Sequence, residues 1–151
     1  MKQSAGILLY RYSGATTEVF LVHPGGPFWK NKDTHAWSIP KGEFHDEEPA
    51  QAARREFQEE TGHQVQGRLT PLEPIRQSGK IVHAFACRGD LDPGSLRSNT
   101  FEMEWPPKSG RTETFPEVDR GGWFGLDAAM KKIHKGQQGL LNQLHSILLS
   151  K

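Results

Sequence analysis

Apolar positions in the first part of the chain recur in short runs. Ile7, Leu8, Leu9 and Tyr10 lie inside a β-like stretch from Ala5 to Tyr12, and Val19 to Val22 reads as a second strand. Ser13-Gly14-Ala15-Thr16-Thr17 between them carries turn chemistry. His23-Pro24-Gly25-Gly26-Pro27 breaks the second strand, and the loop runs to about Ala36. Trp37-Ser38-Ile39 reads as a short strand leading into Pro40. The period then changes. Between Pro49 and Gly62, Ala50, Ala53 and Phe57 fall on one face at helical spacing. Glu56, Glu59 and Glu60 fall on another, with Ala52 as a small residue between them. Pro49 suits a first helical turn, where its missing N–H costs nothing. Gly62 suits the position just past the C-terminus.

Downstream, Leu69 to Ile75 is interrupted by proline and predicts one or two edge strands. Lys80 to Arg88, with Ile81, Val82, Ala84, Phe85 and Ala86, predicts a strand. Asp90 to Arg111 holds Pro93, Pro106, Pro107 and Gly110 and reads mostly as loop, of a length associated with function. A short strand around Trp123-Phe124 lies within Val118 to Phe124. Leu126 to His134, opened by Asp127, and Leu140 to Leu149 predict two further helices. Strands on both sides of a helix, followed by a C-terminal helix, give an α/β layered fold with a mixed sheet. At 151 residues the expectation is one domain over residues 1–151.

Composition narrows the function classes. With 19 basic and 18 acidic residues the formal net charge is +1, so no stable nucleic-acid binding is expected. No apolar run is long enough to span a membrane. The segment Met1 to Tyr10 lacks the long apolar region and cleavage site of a signal peptide, so a cytoplasmic location is expected. Cys87 is the only cysteine; it cannot form an internal disulfide, fits a reducing compartment, and reads as a small buried hydrophobe.

The acidic helix carries the chemistry. Residues three and four apart on a helix are neighbours, with roughly 5–6 Å between Cβ atoms. Glu56, Glu59 and Glu60 have that spacing, and a hard divalent cation would relieve their repulsion. An all-carboxylate set with no cysteine suits Mg²⁺ or Mn²⁺ rather than zinc. Mg²⁺ keeps waters and substrate phosphate oxygens in its shell, which points to phosphate chemistry. On spacing alone a solvated acidic face is the commoner reading.

The surrounding residues resemble the Nudix box, whose pattern is Gly, five residues, Glu, seven residues, then Arg-Glu-hydrophobic-any-Glu-Glu-any-Gly-hydrophobic. Arg55-Glu56-Phe57-Gln58-Glu59-Glu60-Thr61-Gly62 matches position by position, and Glu47 stands eight before Arg55. The interval from Gly42 to Glu47 is one residue short, and His63 stands where the pattern has a hydrophobic residue. The Pro40-Lys41-Gly42 lead-in also looks like that of many family members.

The resemblance implies a Nudix-type α/β/α sandwich and a Mg²⁺- or Mn²⁺-dependent pyrophosphohydrolase. Its substrate would be a nucleoside diphosphate linked to another moiety. Carried over by position, Glu56, Glu59 and Glu60 would be metal ligands, with the Gly42 carbonyl as a further one. Glu47 and Arg55 would pair to orient the helix. Glu59, or another member of the acidic cluster, would take a proton in catalysis. A further carboxylate often comes from a late loop; Glu117 is the candidate, with Glu102, Glu104 and Glu113 behind it. Lys41 either contacts a phosphate as a mobile point charge or is a solvated turn lysine. Trp29, Phe28, Trp105 and His83 either stack on a base or anchor loops and core.

Substrate choice is read less directly. Ser78 occupies the place of the proline that ADP-ribose-type members carry, and the tyrosine of dinucleoside-polyphosphate types is missing around Gly79 and Lys80. The C-terminal segment and the Pro-Lys-Gly start look somewhat like the dinucleoside-tetraphosphate hydrolases. The alternative is a Nudix-fold module that binds a nucleotide without cleaving it; its usual mark is a degraded box, and this box keeps its acidic core. Many members of the family dimerise.

Overall fold

The computed structural model describes residues 1–150. β1 (Gln3–Ser13) and β2 (Thr16–Pro24) form an antiparallel hairpin, closed by the turn at Gly14-Ala15. β3 (Lys41–Glu43) pairs antiparallel with the start of β1, and α1 (Pro49–Thr61) follows. β4 (Thr70–Pro71), β5 (Ile75–Gln77) and β6 (Lys80–Arg88) come next; β4 and β5 both pair antiparallel with β6, and β6 runs parallel to β1. β7 (Thr100–Glu104) and β8 (Thr112–Pro116) form a separate hairpin. β9 (Val118–Gly125) pairs with β2, and α2 (Leu126–Lys132) and α3 (Gln138–Leu149) end the described chain. The main sheet has seven strands along the path β4-β6-β1-β2-β9, with β3 and β5 as side pairings. It is mixed, as expected.

The apolar runs of β1, β2 and β6 are continuous because both faces of the sheet are covered. Ala5, Ile7, Leu9, Phe20, Val22, Phe85 and Cys87 pack with Ala52, Ala53 and Phe57 of α1. Leu8, Tyr10, Val19, Leu21, Ala84 and Ala86 pack with Ala129, Ile133, Leu140, Leu141 and Leu144 of the C-terminal helical segment. The result is helix, sheet, helix. Cys87 is buried and free. α1 begins at Pro49 and ends with Gly62 in the left-handed region at φ 78°, its N–H bonded to the Gln58 carbonyl. No described helix is long and apolar enough to cross a membrane.

Two expectations are corrected. Trp37-Ser38-Ile39 is not a strand: Ser38 bridges Val22 and Trp37 bridges Ile133, while the regular strand follows at Lys41–Glu43. Ile39 instead gives its N–H to Gln137 Oε1 at 3.0 Å. Asp90 to Arg111 is mostly loop, as expected, and within it stand a 3₁₀ turn at Pro93–Ser95 and all of β7. Within β7, Phe101 and Met103 are half-buried while their neighbours are exposed, and Phe101 lies near Phe115 of β8. Ala52 does not leave room on the acidic face; it is fully buried, on the side of α1 that packs into the core.

Candidate functional site

The acidic face of α1 meets the free side of β3 at a cavity of about 400 Å³. Its walls bring together residues from six parts of the chain. Glu56, Glu59 and Glu60 come from α1, and Lys41, Gly42 and Glu43 from β3. Ser4 comes from β1, Lys80 from β6, and Asn99 and Glu117 from the segments flanking the β7–β8 hairpin. Five carboxyl groups thus face two ammonium groups.

The backbone explains how the distant residues arrive. The Arg97 N–H bonds the Thr61 carbonyl at 2.9 Å, and the Asn99 N–H bonds the Glu59 carbonyl at 2.8 Å. These contacts cover carbonyls at the helix end that have no partner within the helix. The Glu117 N–H then bonds the Asn99 carbonyl at 2.8 Å, and the Gly25 N–H bonds the Glu117 carbonyl at 2.9 Å. Glu117 is therefore held at the cavity by the end of the same helix that carries the three glutamates.

Arg55 organises the acidic face. Its guanidinium reaches Glu47 Oε1 at 2.6 Å, Glu56 Oε1 at 2.8 Å and Glu59 Oε2 at 3.1 Å. Glu47 keeps this pairing although its loop is one residue short, and Asp46, at φ 56°, lies in the left-handed region on that loop. The short interval therefore does not prevent Glu47 from reaching Arg55. Hydrogen bonding to Arg55 holds the Glu47 carboxyl below its ordinary range, and the same contacts raise the Arg55 pKa.

Gly42 is packed against Glu56. A Cβ at Gly42 would lie 1.9 Å from Glu56 Oε2, so only glycine leaves room for that carboxyl group. Burial is the main cause that raises the pKa of Glu56. Burial likewise pushes the Glu60 carboxyl up to about 8, against the opposing Lys41 N–H, which donates to Glu60 Oε1 at 3.2 Å. The Lys41 side chain is not a solvated turn lysine; burial lowers its pKa, and it lines both this cavity and an adjoining cleft of about 180 Å³. Among the described residues no three His, Cys, Asp or Glu side chains stand close enough together to form a closed metal shell. The donor chemistry nevertheless suits a hard cation: all oxygen, with a glycine cradle beside one carboxylate.

The raised Glu60 pKa has a consequence for stability without metal. Above about pH 4.5 the unfolded chain has released this proton, whereas the folded chain holds it to about pH 8. The contribution is therefore present in full at acid pH and is lost as pH rises from about 4.5 to about 8. His134, whose pKa burial lowers, acts in the opposite sense over part of that range. Unfolding of chelator-treated protein across pH 5 to about 8, compared with Glu60→Gln, isolates the carboxyl. The wild type is expected to lose stability relative to the variant as pH rises; parallel profiles would contradict a buried neutral Glu60.

The secondary candidates lie elsewhere. Glu102 and Glu113 stand on the β7–β8 hairpin, and Glu104 accepts the N–H groups of Lys108 and Gly110. Phe28 and Trp105 meet edge to face with ring centroids 5.6 Å apart, and Lys32 lies over Trp29. His83 bonds Gln3 and lies against Phe44. None of these seven residues lines the cavity. Sequence reading missed Ser4, Glu43, Lys80 and Asn99, four residues with no local signal, brought to the cavity by strand pairing and by the bond to the end of α1.

A family model for the NUDIX domain matches residues 2–144. No curated protein matches the chain by sequence. Among solved structures, the chain is similar to a binary complex of the C. elegans Ap4A hydrolase, with 22% identity, 100% of both chains covered and a TM-score of 0.69. It is also similar to the NUDIX domain of Shewanella oneidensis NrtR complexed with ADP ribose, at 16% identity, with 97% of this chain and 87% of that one covered and a TM-score of 0.66. A mutT/nudix family protein from Listeria innocua gives 18% identity, coverage of 99% and 94%, and a TM-score of 0.64. At these identities the likeness is one of fold.

Proposed function

The chain belongs to the NUDIX domain family, and on that premise we propose that it is a divalent-metal-dependent pyrophosphohydrolase that cleaves a nucleoside diphosphate linked to another moiety. The observation that carries the reading is the single cavity shared by Glu56, Glu59, Glu60, Glu117, Lys41 and Gly42. A degraded member would be expected to lose part of this set, and here every acid of the box is kept.

A bound Mg²⁺ or Mn²⁺ would neutralise charge developing on the phosphoryl oxygens and acidify an attacking water. Glu56, Glu59, Glu60, Glu117 and the Gly42 carbonyl are the groups that would hold it. Arg55 fixes two of those carboxylates and, through Glu47, the approach to the helix. Glu59 is the candidate to accept the water's proton: its side chain is 38% exposed, against 12% for Glu56, so it is the more open to the cavity of the two. Lys41 presents its ammonium to phosphate oxygens within the cavity.

The likenesses put dinucleoside polyphosphates and ADP-ribose first in the substrate panel. Dinucleoside polyphosphates, ADP-ribose, nucleoside triphosphates, sugar nucleotides and capped RNA are tested with Mg²⁺ and with Mn²⁺. The expected result is metal-dependent phosphate or nucleotide release from at least one class. A second reading, a nucleotide-binding form without turnover, draws support from the likeness to the NrtR domain in complex with ADP ribose. Tight nucleotide binding with no release at any metal concentration would establish it instead.

A further inference from the structure

Among the described residues, one buried side-chain polar atom has no hydrogen-bond partner: Ser4 Oγ. Ser4 is only 1% exposed and lines the acidic cavity. Strand pairing fixes it on both sides, opposite Glu43 of β3 and Val82 of β6. Its polar neighbours on the cavity wall are committed to each other, since Lys80 Nζ reaches Glu43 Oε2 at 2.6 Å. The cavity is rich in carboxylates, which are acceptors only, and none of them takes the Ser4 proton. A buried hydroxyl without a partner destabilises the fold, and a ligand that supplies an acceptor recovers that loss.

We propose that Ser4 Oγ donates a hydrogen bond to a phosphate oxygen of the substrate, making Ser4 a binding residue for the phosphate chain. The inference rests on the pyrophosphohydrolase reading, because in that chemistry the acceptor oxygens entering the cavity belong to phosphates. Lys41 supplies positive charge on the same walls, beside Lys80 in its ion pair with Glu43, so the anionic chain meets a cation and the Ser4 donor in a cavity that is otherwise acidic. β1 is paired on both sides here, so the backbone that carries the hydroxyl is held in place before the ligand arrives.

Ser4→Ala is compared with wild type in three measurements: the ligand-free thermal midpoint, the affinity for inorganic pyrophosphate with Mg²⁺, and KM and kcat on the best substrate of the panel. The midpoint is expected to stay level or rise, because an unpartnered group is removed. Pyrophosphate affinity is expected to fall about fivefold and KM to rise by the same factor, with kcat little changed. Ser4→Cys, of nearly the same size with a weak donor, gives the same loss while keeping the packing. Unchanged affinity and KM in both variants would overturn the proposal, as would a wild type that does not bind pyrophosphate. A wild type that binds pyrophosphate with Ser4-dependent affinity but cleaves nothing would leave this inference standing and remove the hydrolase reading.

Discussion

Glu59→Gln and Glu60→Gln are each expected to lower metal-dependent turnover by about 10²–10⁴-fold while leaving the protein folded. The two substitutions act differently. At Glu59, glutamine keeps the size of a half-exposed side chain but removes both the negative charge that faces Arg55 and the basic oxygen proposed to take a proton. At Glu60, burial already holds the carboxyl neutral up to about pH 8 in the metal-free protein, so glutamine imitates the resting form closely. Glu60→Gln should therefore match or exceed wild-type stability at pH 8 without metal, and fail to gain the stabilisation that Mg²⁺ gives the wild type. The checks are kcat at saturating Mg²⁺ and the rise in thermal midpoint on adding the ion. Unchanged kcat in both variants would remove the acidic face of α1 from the mechanism.

The helix that carries these residues was legible because three signals agree along one segment. Pro49 and Gly62 mark its ends, Ala53 and Phe57 its packed side, and the glutamates the other. The runs in β1, β2 and β6 were legible for a related reason: a sheet covered on both faces needs apolar residues on both. β7 and β8 were hidden because their alternation is short, most of it faces solvent, and proline and glycine crowd the turn between them. Trp37-Ser38-Ile39 has strand-like residues, but the ladder ends at single bridges on either side, and the next residue, Pro40, has no N–H to extend it.

The site was legible only in part, for a topological reason. The box residues lie within one segment, so spacing reveals them. Ser4 and Lys80 reach the cavity through the parallel pairing of β1 with β6, contacts between residues far apart in sequence. Glu117 occupies an intermediate case. Its sequence context before Trp123-Phe124 suggested it, but what places it is the Asn99 backbone, joined on one side to Glu59 and on the other to Glu117. The aromatic candidates lie away from the cavity: Phe28 and Trp105 meet each other edge to face at the loop surface, the loop-anchoring role the sequence also offered.

Gly42→Ala should be nearly as damaging to turnover as loss of a carboxylate, through sterics alone. The backbone at Gly42 is not in the left-handed region, so alanine meets no conformational penalty there. The added methyl would instead stand 1.9 Å from Oε2 and 2.2 Å from Cδ of Glu56. Something has to move. Glu56 is buried and tied to Arg55, which is tied in turn to Glu47 and Glu59, so displacing it disturbs the whole acidic face. Moving β3 instead would strain its pairing with β1, where Gly42 stands opposite Ala5. Overpacking of this kind costs about 1–3 kcal/mol of stability. A displacement of about 1 Å in a reacting group can cost about 10²-fold in rate, so kcat is expected to fall by at least that factor. Gly139→Ala in α3 is the control, since its Cβ would meet nothing within 4 Å and alanine favours the helix. Wild-type kcat and midpoint in Gly42→Ala would show that Glu56 can yield without consequence, and that the glycine of the Pro-Lys-Gly turn does not hold the site together.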